Sequence, residues 1–142
     1  MRALWIAFVL AVIAAPAFAQ SNLGELLDQG AKKIGKEEYL KGIPKTFSGI
    51  TSTGRADVNL TCRVDGSLTG NIRALQSGST SGVSGSWTVD DSGKICIKEI
   101  FHTWNQTYEA CGYEFLLNGQ LWAARSDVDR SAGIFKLNYK KE

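Results

Sequence analysis

The hydrophobic pattern changes period near residue 46. Before that point, apolar residues recur at spacings of three and four, the period of an amphipathic helix. Asn22, followed three residues later by Glu25, is a capping-box start. The pattern therefore predicts a helix from about Asn22 to Ile34, and a second short helical piece from Lys36 to Leu40 that Gly42 and Pro44 end. The apolar positions of the first helix are Leu23, Leu26, Leu27, Ala31 and Ile34.

From Thr46 onward, apolar residues occupy every second position, as in strands with one face in a core. Asp57 to Val64 is such a strand, and Asp65-Gly66 predicts the turn of a hairpin. A three-residue loop with Gly66 in the left-handed region sets Cys62, Leu60 and Val58 opposite Leu68, Gly70 and Ile72. We prefer this register because a slip of one residue would turn the whole apolar set to solvent.

The next hairpins give a second test of register. The glycine- and serine-rich segment from Gln76 to Gly85 predicts a mobile loop, followed by strands at Gly85 to Val89 and Lys94 to Phe101. If the following turn is centred on Thr103-Trp104, Cys96 faces Cys111 and Lys98 faces Glu109. One register therefore predicts a cross-strand disulfide together with an opposite-charge pair. Pairing of Cys62 with either of the other cysteines stays open at this stage.

Three further strands complete the pattern, at about 112–117, 120–124 and 134–139. Asn118-Gly119 predicts a tight turn between the first two, and a loop from Arg125 to Gly133 precedes the third. The fold class is therefore mainly β: an antiparallel meander of about seven to eight strands that forms a small up-and-down barrel or strongly curved sheet, with one N-terminal amphipathic helix. A two-sheet β-sandwich is the alternative.

The first residues predict export. Leu4 to Ala15 is an apolar run after Arg2, and it ends in the small-x-small sequence Ala17-Phe18-Ala19. The run is shorter than the roughly 20 residues of a membrane-spanning helix. We therefore expect a signal peptide at 1–19, a helical segment at 20–45 and a β domain at 46–142 that packs with the helix as one domain. We expect a periplasmic or secreted protein without a membrane span after cleavage.

The net charge and the number of cysteines limit the kinds of binding partner that we expect. The chain has 16 lysines and arginines against 14 aspartates and glutamates, a formal net charge of +2. So small an excess gives no field that would attract nucleic acid or anionic lipid, and we expect neither partner. With three cysteines, at most one intramolecular disulfide can form. The third, predicted to be Cys62, is a buried, inert core thiol, with the link of a disulfide-bonded dimer or a redox-active thiol as the alternatives.

Few residues fit catalytic or metal chemistry. His102 is the only histidine, no Gly-x-Ser-x-Gly elbow is present, and the separated cysteines fit no zinc pattern. The glycines punctuate strands and do not form a phosphate-binding loop, so we expect no catalytic residue, no metal and no cofactor. Asp90-Asp91 precede Gly93 and are explained by turn formation.

Two loops hold the candidate binding residues. Trp104 lies at a predicted hairpin tip beside His102 and Asn105, where an exposed indole would offer a large contact area. Asp127 and Asp129, next to Arg130, could bind a cation or a sugar hydroxyl in the later loop. A solvated loop is the simpler interpretation of the aspartates.

A longer set of residues resembles a known family. The set comprises Glu38-Tyr39-Leu40-Lys41-Gly42, Gly49, Gly54, the segment from Asp65 to Gly70, the segment from Gly85 to Asp90, Gly93-Lys94-Ile95-Cys96, Cys111 and Asn118-Gly119. It resembles a family of small exported proteobacterial proteins known only as a domain of unknown function, with a Gly-x-Trp, Gly-x-x-Cys and Cys core. The resemblance covers most of the chain after residue 19 and implies a bacterial periplasmic or secreted protein, but it brings no catalytic residues.

The function predicted from the sequence is that of a non-enzymatic exported β domain that binds a protein, a glycan or a small ligand through a loop end or the barrel mouth. A secreted inhibitor of a cell-wall-degrading enzyme and a small envelope hydrolase are the alternatives. The hydrolase would have to use His102, Asp127 or Asp129.

Overall fold

A computed structural model describes residues 21–51, 54–137 and the backbone of 139–140. The predicted signal peptide lies outside the described residues, as do residues 52, 53, 138, 141 and 142. No helix in the described part of the chain is long and apolar enough to cross a membrane. The elements are α1 (Leu23–Asp28), β1 (Lys32–Lys33), α2 (Lys36–Lys41), β2 (Lys45–Ile50), β3 (Ala56–Cys62), β4 (Ser67–Ala74), β5 (Thr80–Val89), β6 (Ile95–Phe101), β7 (Gln106–Leu117), β8 (Gln120–Ala124), β9 (Ile134–Leu137) and β10 (Tyr139–Lys140).

The strands form an antiparallel meander that curls into a nearly closed barrel. Strands β2 to β9 pair in chain order, and β10 returns to pair with β2. The C-terminal segment thus joins the two ends of the sheet, since β9 pairs with β8 while β10 pairs with β2. The predicted mainly-β barrel is confirmed, and the continuous ladder excludes two separate sheets packed face to face.

The predicted registers are confirmed. Cys62, Leu60 and Val58 pair with Leu68, Gly70 and Ile72, and Gly66 has the left-handed φ of 84° that the bulged turn requires. Cys96 pairs with Cys111 and Lys98 with Glu109; the two sulfurs are bonded, and the charged side chains lie 3.5 Å apart. In both hairpins, the apolar alternation together with a single turn residue determined the pairing.

The first helix is shorter than the sequence predicts. Asn22 is the N-cap as expected, and its Oδ1 accepts from the Glu25 N–H at 3.0 Å. The return bond of the capping box is shifted by one residue, because a Glu25 carboxylate oxygen accepts from the Ser21 N–H at 2.8 Å. The helix ends at Asp28, because Gly30 turns the chain with a φ of 93°. Lys32 and Lys33, predicted to be helical, instead pair as β1 with Leu116 and Phe115 of β7.

The two helices cover different parts of the barrel. Leu23 and Leu26 of α1 are fully buried against Phe115 and Trp122 on the outer face of β7 and β8. Tyr39 of α2 packs edge-on against Trp87 of β5, with ring centroids 5.7 Å apart, inside the main core. One helix therefore shields an outer face of the sheet, while the other contributes an aromatic ring to the barrel interior.

The predicted loop from Gln76 to Gly85 is mostly strand. Strand β5 begins at Thr80, pairs with β4 and β6, and buries Ser81 and Val83. Its small residues allow close contact between strands: a Cβ on Gly85 would collide with the backbone carbonyl of Lys98. The prediction was wrong because glycine is also favoured where two backbones must approach closely within a sheet.

Candidate functional site

The interior of the barrel contains a cavity of about 710 Å³. This volume lies in the roughly 300–1,000 Å³ range of small-molecule sites. Most of its wall is apolar and comes from alternate residues of the strands, including Val58 and Leu60 of β3, Ile72 of β4, and Ile97 and Phe101 of β6. The cavity is thus a direct product of the period-two pattern that builds the core.

Small side chains leave space on one side of the interior. Ala110 and Gly112 of β7 and Ala123 of β8 all line the cavity. Ala110 pairs with Ile97 of β6, so it stands on the inward face where larger residues fill the neighbouring strands. Packed interiors normally leave few voids larger than a water molecule, so this side of the barrel is less completely filled than an ordinary core.

The mouth of the cavity lies where the sheet is incompletely closed. Within the described residues, β7 pairs with β8 only from Tyr113 to Leu117, so residues 106–112 pair with β6 alone. Likewise β10 reaches only Thr46 and Phe47 of β2. Ile50, Tyr108 and Arg125 line the cavity and are exposed, which marks where it opens to solvent.

A buried ion pair lies at the cavity: Glu114 and Tyr39 line its wall, and Lys45 contacts both. Lys45 Nζ lies 3.5 Å from a Glu114 carboxylate oxygen and 3.8 Å from the centre of the Tyr39 ring. Burial lowers the pKa of Lys45, and Glu114 opposes that change. Burial also raises the pKa of the Tyr39 hydroxyl. The Lys45 ammonium group therefore balances the negative charge of Glu114.

Glu99 is a second buried carboxyl group in the wall, and its surroundings differ. Its residue is only 7% exposed, and no described side chain donates a hydrogen bond to it or forms an ion pair with it. It faces inward between Ile97 and Phe101, while Lys98 faces outward to Glu109. Burial raises the pKa of Glu99 from 4.5 to about 7.

Cys62 also lines the cavity and is the free thiol of the described chain. Burial raises its pKa to about 11, and the nearby Lys45 opposes this shift. Since the thiolate is the reactive form, this thiol is weakly nucleophilic at neutral pH. Cys62 is buried and belongs to the main core cluster.

The hairpin between β6 and β7 places the first group of predicted site residues. Trp104 does not project as an exposed indole: it is half-buried, its ring lies 5.8 Å from that of Phe101, and its Nε1–H donates to Ser79 Oγ at 2.9 Å. Asn105 forms the turn with a φ of 50° and is exposed. His102 Nε2 lies 2.7 Å from Ser84 Oγ on the outer face.

The loop after β8 places the second group. Asp127 pairs with Lys33 of β1 at 2.8 Å, and Arg130 pairs with Asp28 at 2.6 Å while donating to the Gly24 carbonyl. Asp129 accepts from the Ser131 backbone and hydroxyl, which lowers the pKa of its carboxyl group. The contacts of Asp127 and Arg130 hold the N-terminal segment against the barrel.

None of the six predicted binding residues lines the cavity: His102, Trp104, Asn105, Asp127, Asp129 and Arg130 all lie outside its wall. The residue that the sequence interpretation missed is Glu99. A signal for it was present, because Glu99 shares the parity of Ile95, Ile97 and Phe101 in an otherwise apolar inward series. A carboxyl group in such a series marks either a compensated charge or a binding group.

Metal chemistry finds no support in the part of the chain that the structure describes, where no group of three or more His, Cys, Asp or Glu side chains could hold an ion. The Ser84–His102 contact has the spacing of a nucleophile and a base, but no described carboxylate contacts His102 to orient it.

Comparison with known proteins gives no family model, no curated protein and no solved structure that matches this chain. The resemblance to the exported proteobacterial family stays a prediction.

Proposed function

We propose that this protein is a non-enzymatic binding protein that holds a small, elongated, mainly apolar ligand inside its barrel. The observation that carries the proposal is the cavity of about 710 Å³ with an apolar wall, small residues on β7 and β8, and an opening beside Tyr108. Burying the ligand's apolar surface there supplies the main binding free energy. The few polar groups in the wall then select among ligands.

We further propose that the protein works in the periplasm or as a secreted protein. The apolar leader from Leu4 to Ala15 supports export, and the Cys96–Cys111 disulfide is typical of oxidising compartments. A carrier or sensor of apolar molecules in such a compartment requires no catalytic group. The Ser84–His102 pair agrees with this proposal, because no described carboxylate contacts His102 as the third member of a catalytic triad would.

Fluorescence of N-phenyl-1-naphthylamine, a neutral dye that brightens in apolar surroundings, tests cavity binding. We expect saturable binding by the wild type and displacement of the dye by alkan-1-ols. Ala110→Trp fills the cavity from β7 and should weaken binding at least about tenfold, since it removes the space that the ligand's apolar surface occupies. The matched control is Glu109→Trp, because Glu109 is exposed on the outer face of the same strand.

A second variant keeps the test decisive if Ala110→Trp fails to fold. Ala123→Phe fills the cavity from β8, and circular dichroism should show the wild-type β spectrum for each variant compared. Equal dye binding by a folded cavity-filling variant and the wild type would contradict the proposal. Absence of saturable dye binding and of alkanol displacement in the wild type would contradict it as well.

A further inference from the structure

We propose that Glu99 selects the ligand, and that the cavity takes apolar molecules carrying a basic amine, with the ammonium group placed against the Glu99 carboxylate. This inference rests on the proposed function and adds the chemical class of the ligand. It follows from a difference between the two buried carboxyl groups of the wall: Glu114 has an ion-pair partner, and Glu99 has none among the described residues.

The first step is that the Glu99 carboxyl group has no ion-pair or hydrogen-bond partner among the described side chains. The Glu114 carboxylate has Lys45 Nζ at 3.5 Å. Glu99 is only 7% exposed, yet no described side chain offers its carboxyl group a cation or a hydrogen-bond donor. A buried carboxylate without a partner is costly, and the cost is removed when a donor or a positive charge arrives. Glu99 is therefore a group that the ligand is expected to satisfy.

The second step concerns the sign of the ligand's charge. An ammonium group forms charge-assisted hydrogen bonds with a carboxylate, and these are roughly twice as strong as neutral ones. A ligand carboxylate would meet the negative charge of Glu99, whereas the charge of Glu114 is balanced by Lys45. Arg125 and Lys136 also line the wall, but both are exposed, and an exposed ion pair contributes little. Lys136 Nζ lies 5.4 Å from the centre of the Trp122 ring, which packs with α1 on the outer face. The interior consequently favours a cation over an anion.

The third step is that the apolar wall requires the part of the ligand beyond the amine to be apolar. Ile97 and Phe101 flank Glu99 on β6, and Leu60 and Ile72 line the cavity from other strands. Small hydrophilic amines cannot bury enough apolar surface to bind well in such a site. The raised pKa of Glu99, about 7, agrees with this scheme, since an ammonium group would stabilise the ionised carboxylate that burial disfavours.

Competition by three decyl compounds tests the inference. Decylamine, decan-1-ol and decanoate share one apolar chain and differ in the head group. Each is titrated against the bound dye at pH 8, below the concentration at which it self-associates. We expect decylamine to bind the wild type at least about tenfold more tightly than decan-1-ol. Glu99→Gln should reduce that preference to less than about twofold, because the substitution removes the charge that the ammonium group meets. Decanoate should bind Glu99→Gln more tightly than the wild type, because the substitution removes a repulsive charge.

The outcomes separate this inference from the proposed function. If decan-1-ol binds but decylamine binds no better, or if Glu99→Gln keeps the amine preference, the inference is overturned and the cavity-binding function stands. If the wild type binds neither the dye nor any decyl compound, both are overturned. Circular dichroism and saturable dye binding by Glu99→Gln check that the variant has folded with an accessible cavity.

Discussion

Glu99 places an ionisable group in the mainly apolar wall of the cavity, and the cost of its charge depends on pH. In the unfolded chain its pKa is near the ordinary 4.5, whereas in the folded protein it is about 7. Between these values the native state holds more protons than the unfolded state. Stability from this residue is therefore fully present below about pH 4.5 and is lost as pH rises through 7.

The stability of Glu99→Gln relative to the wild type should accordingly rise with pH. Glutamine keeps the shape but never ionises, so the difference in free energy of unfolding should change in its favour by up to about 3 kcal/mol between pH 4 and pH 8. Urea unfolding followed by tryptophan fluorescence measures it at each pH. Because the two proteins differ only at residue 99, the contributions of distant groups cancel in this difference.

The control is Glu109→Gln, an exposed carboxyl group on the adjacent strand, 3.5 Å from Lys98. Its stability difference from the wild type should stay within about 0.5 kcal/mol across the same range, because exposed ion pairs contribute little. A Glu99→Gln difference that does not change between pH 4 and pH 8 would contradict the assignment of a raised pKa to this carboxyl group.

At the scale of elements, close strand contact depends on glycine in β5. Gly85 pairs with Glu99 across the β5–β6 ladder, and a Cβ at this position would collide with the Lys98 carbonyl. Backbone is the obstacle here, so no side-chain rotation can relieve the clash. The strand that carries the candidate binding carboxyl group is thus positioned by a neighbouring residue without a side chain.

Gly85→Ala should lower the free energy of unfolding by about 2 kcal/mol or more, because the added methyl group must push two paired strands apart. Denaturant unfolding measures the loss. Gly133→Ala is the matched control, since an added Cβ there meets no atom within 4 Å, and it should change stability by less than about 0.5 kcal/mol. A Gly85→Ala protein as stable as this control would show that β5 and β6 are not held so closely.

The same strands show what pattern alone could establish. The β3–β4 and β6–β7 registers followed from the sequence because a wrong register would expose an apolar face or separate Cys96 from Cys111. The start of β5 did not follow, since Gly82 and Ser84 have loop-like composition and strand status comes only from pairing on both sides. Likewise, nothing local to Lys32-Lys33 indicates the pairing with β7.

The candidate site was harder to predict for a related reason. An indole near a turn suggests exposure, but the Trp104 ring packs against Phe101 and donates a hydrogen bond to Ser79. Only the tertiary fold brings Ser79, which is 25 residues away in the chain, next to this indole. Asp127 and Arg130 looked like solvated loop residues, and their partners Lys33 and Asp28 come from the N-terminal segment. A cavity is a property of the assembled barrel, so no single segment could reveal it.

For the whole molecule, the unfinished closure of the barrel connects stability with access. Strand β4 is paired on both sides, by β3 and by β5, whereas residues 106–112 of β7 are paired by β6 alone within the described chain. Tyr108, next to the cavity mouth, lies in that half-paired stretch. A fully paired ladder here would block the side of the barrel through which we propose that ligands enter.

Amide hydrogen exchange measured by NMR should reveal this asymmetry. Amides of residues 106–112 that point away from β6 have no strand partner, so we expect them to exchange at least about a hundredfold faster than the amides of Leu68 and Ile72 in β4. Decan-1-ol at about 100 times its dissociation constant stabilises the native state by about 2.7 kcal/mol and should slow exchange in β4. Its effect on the unpaired edge should be much smaller, because a ligand chain supplies no backbone acceptors. Equal protection of the two strands would mean that another strand covers the β7 edge, and repeating the experiment at a tenfold lower protein concentration would show whether that strand comes from a second copy.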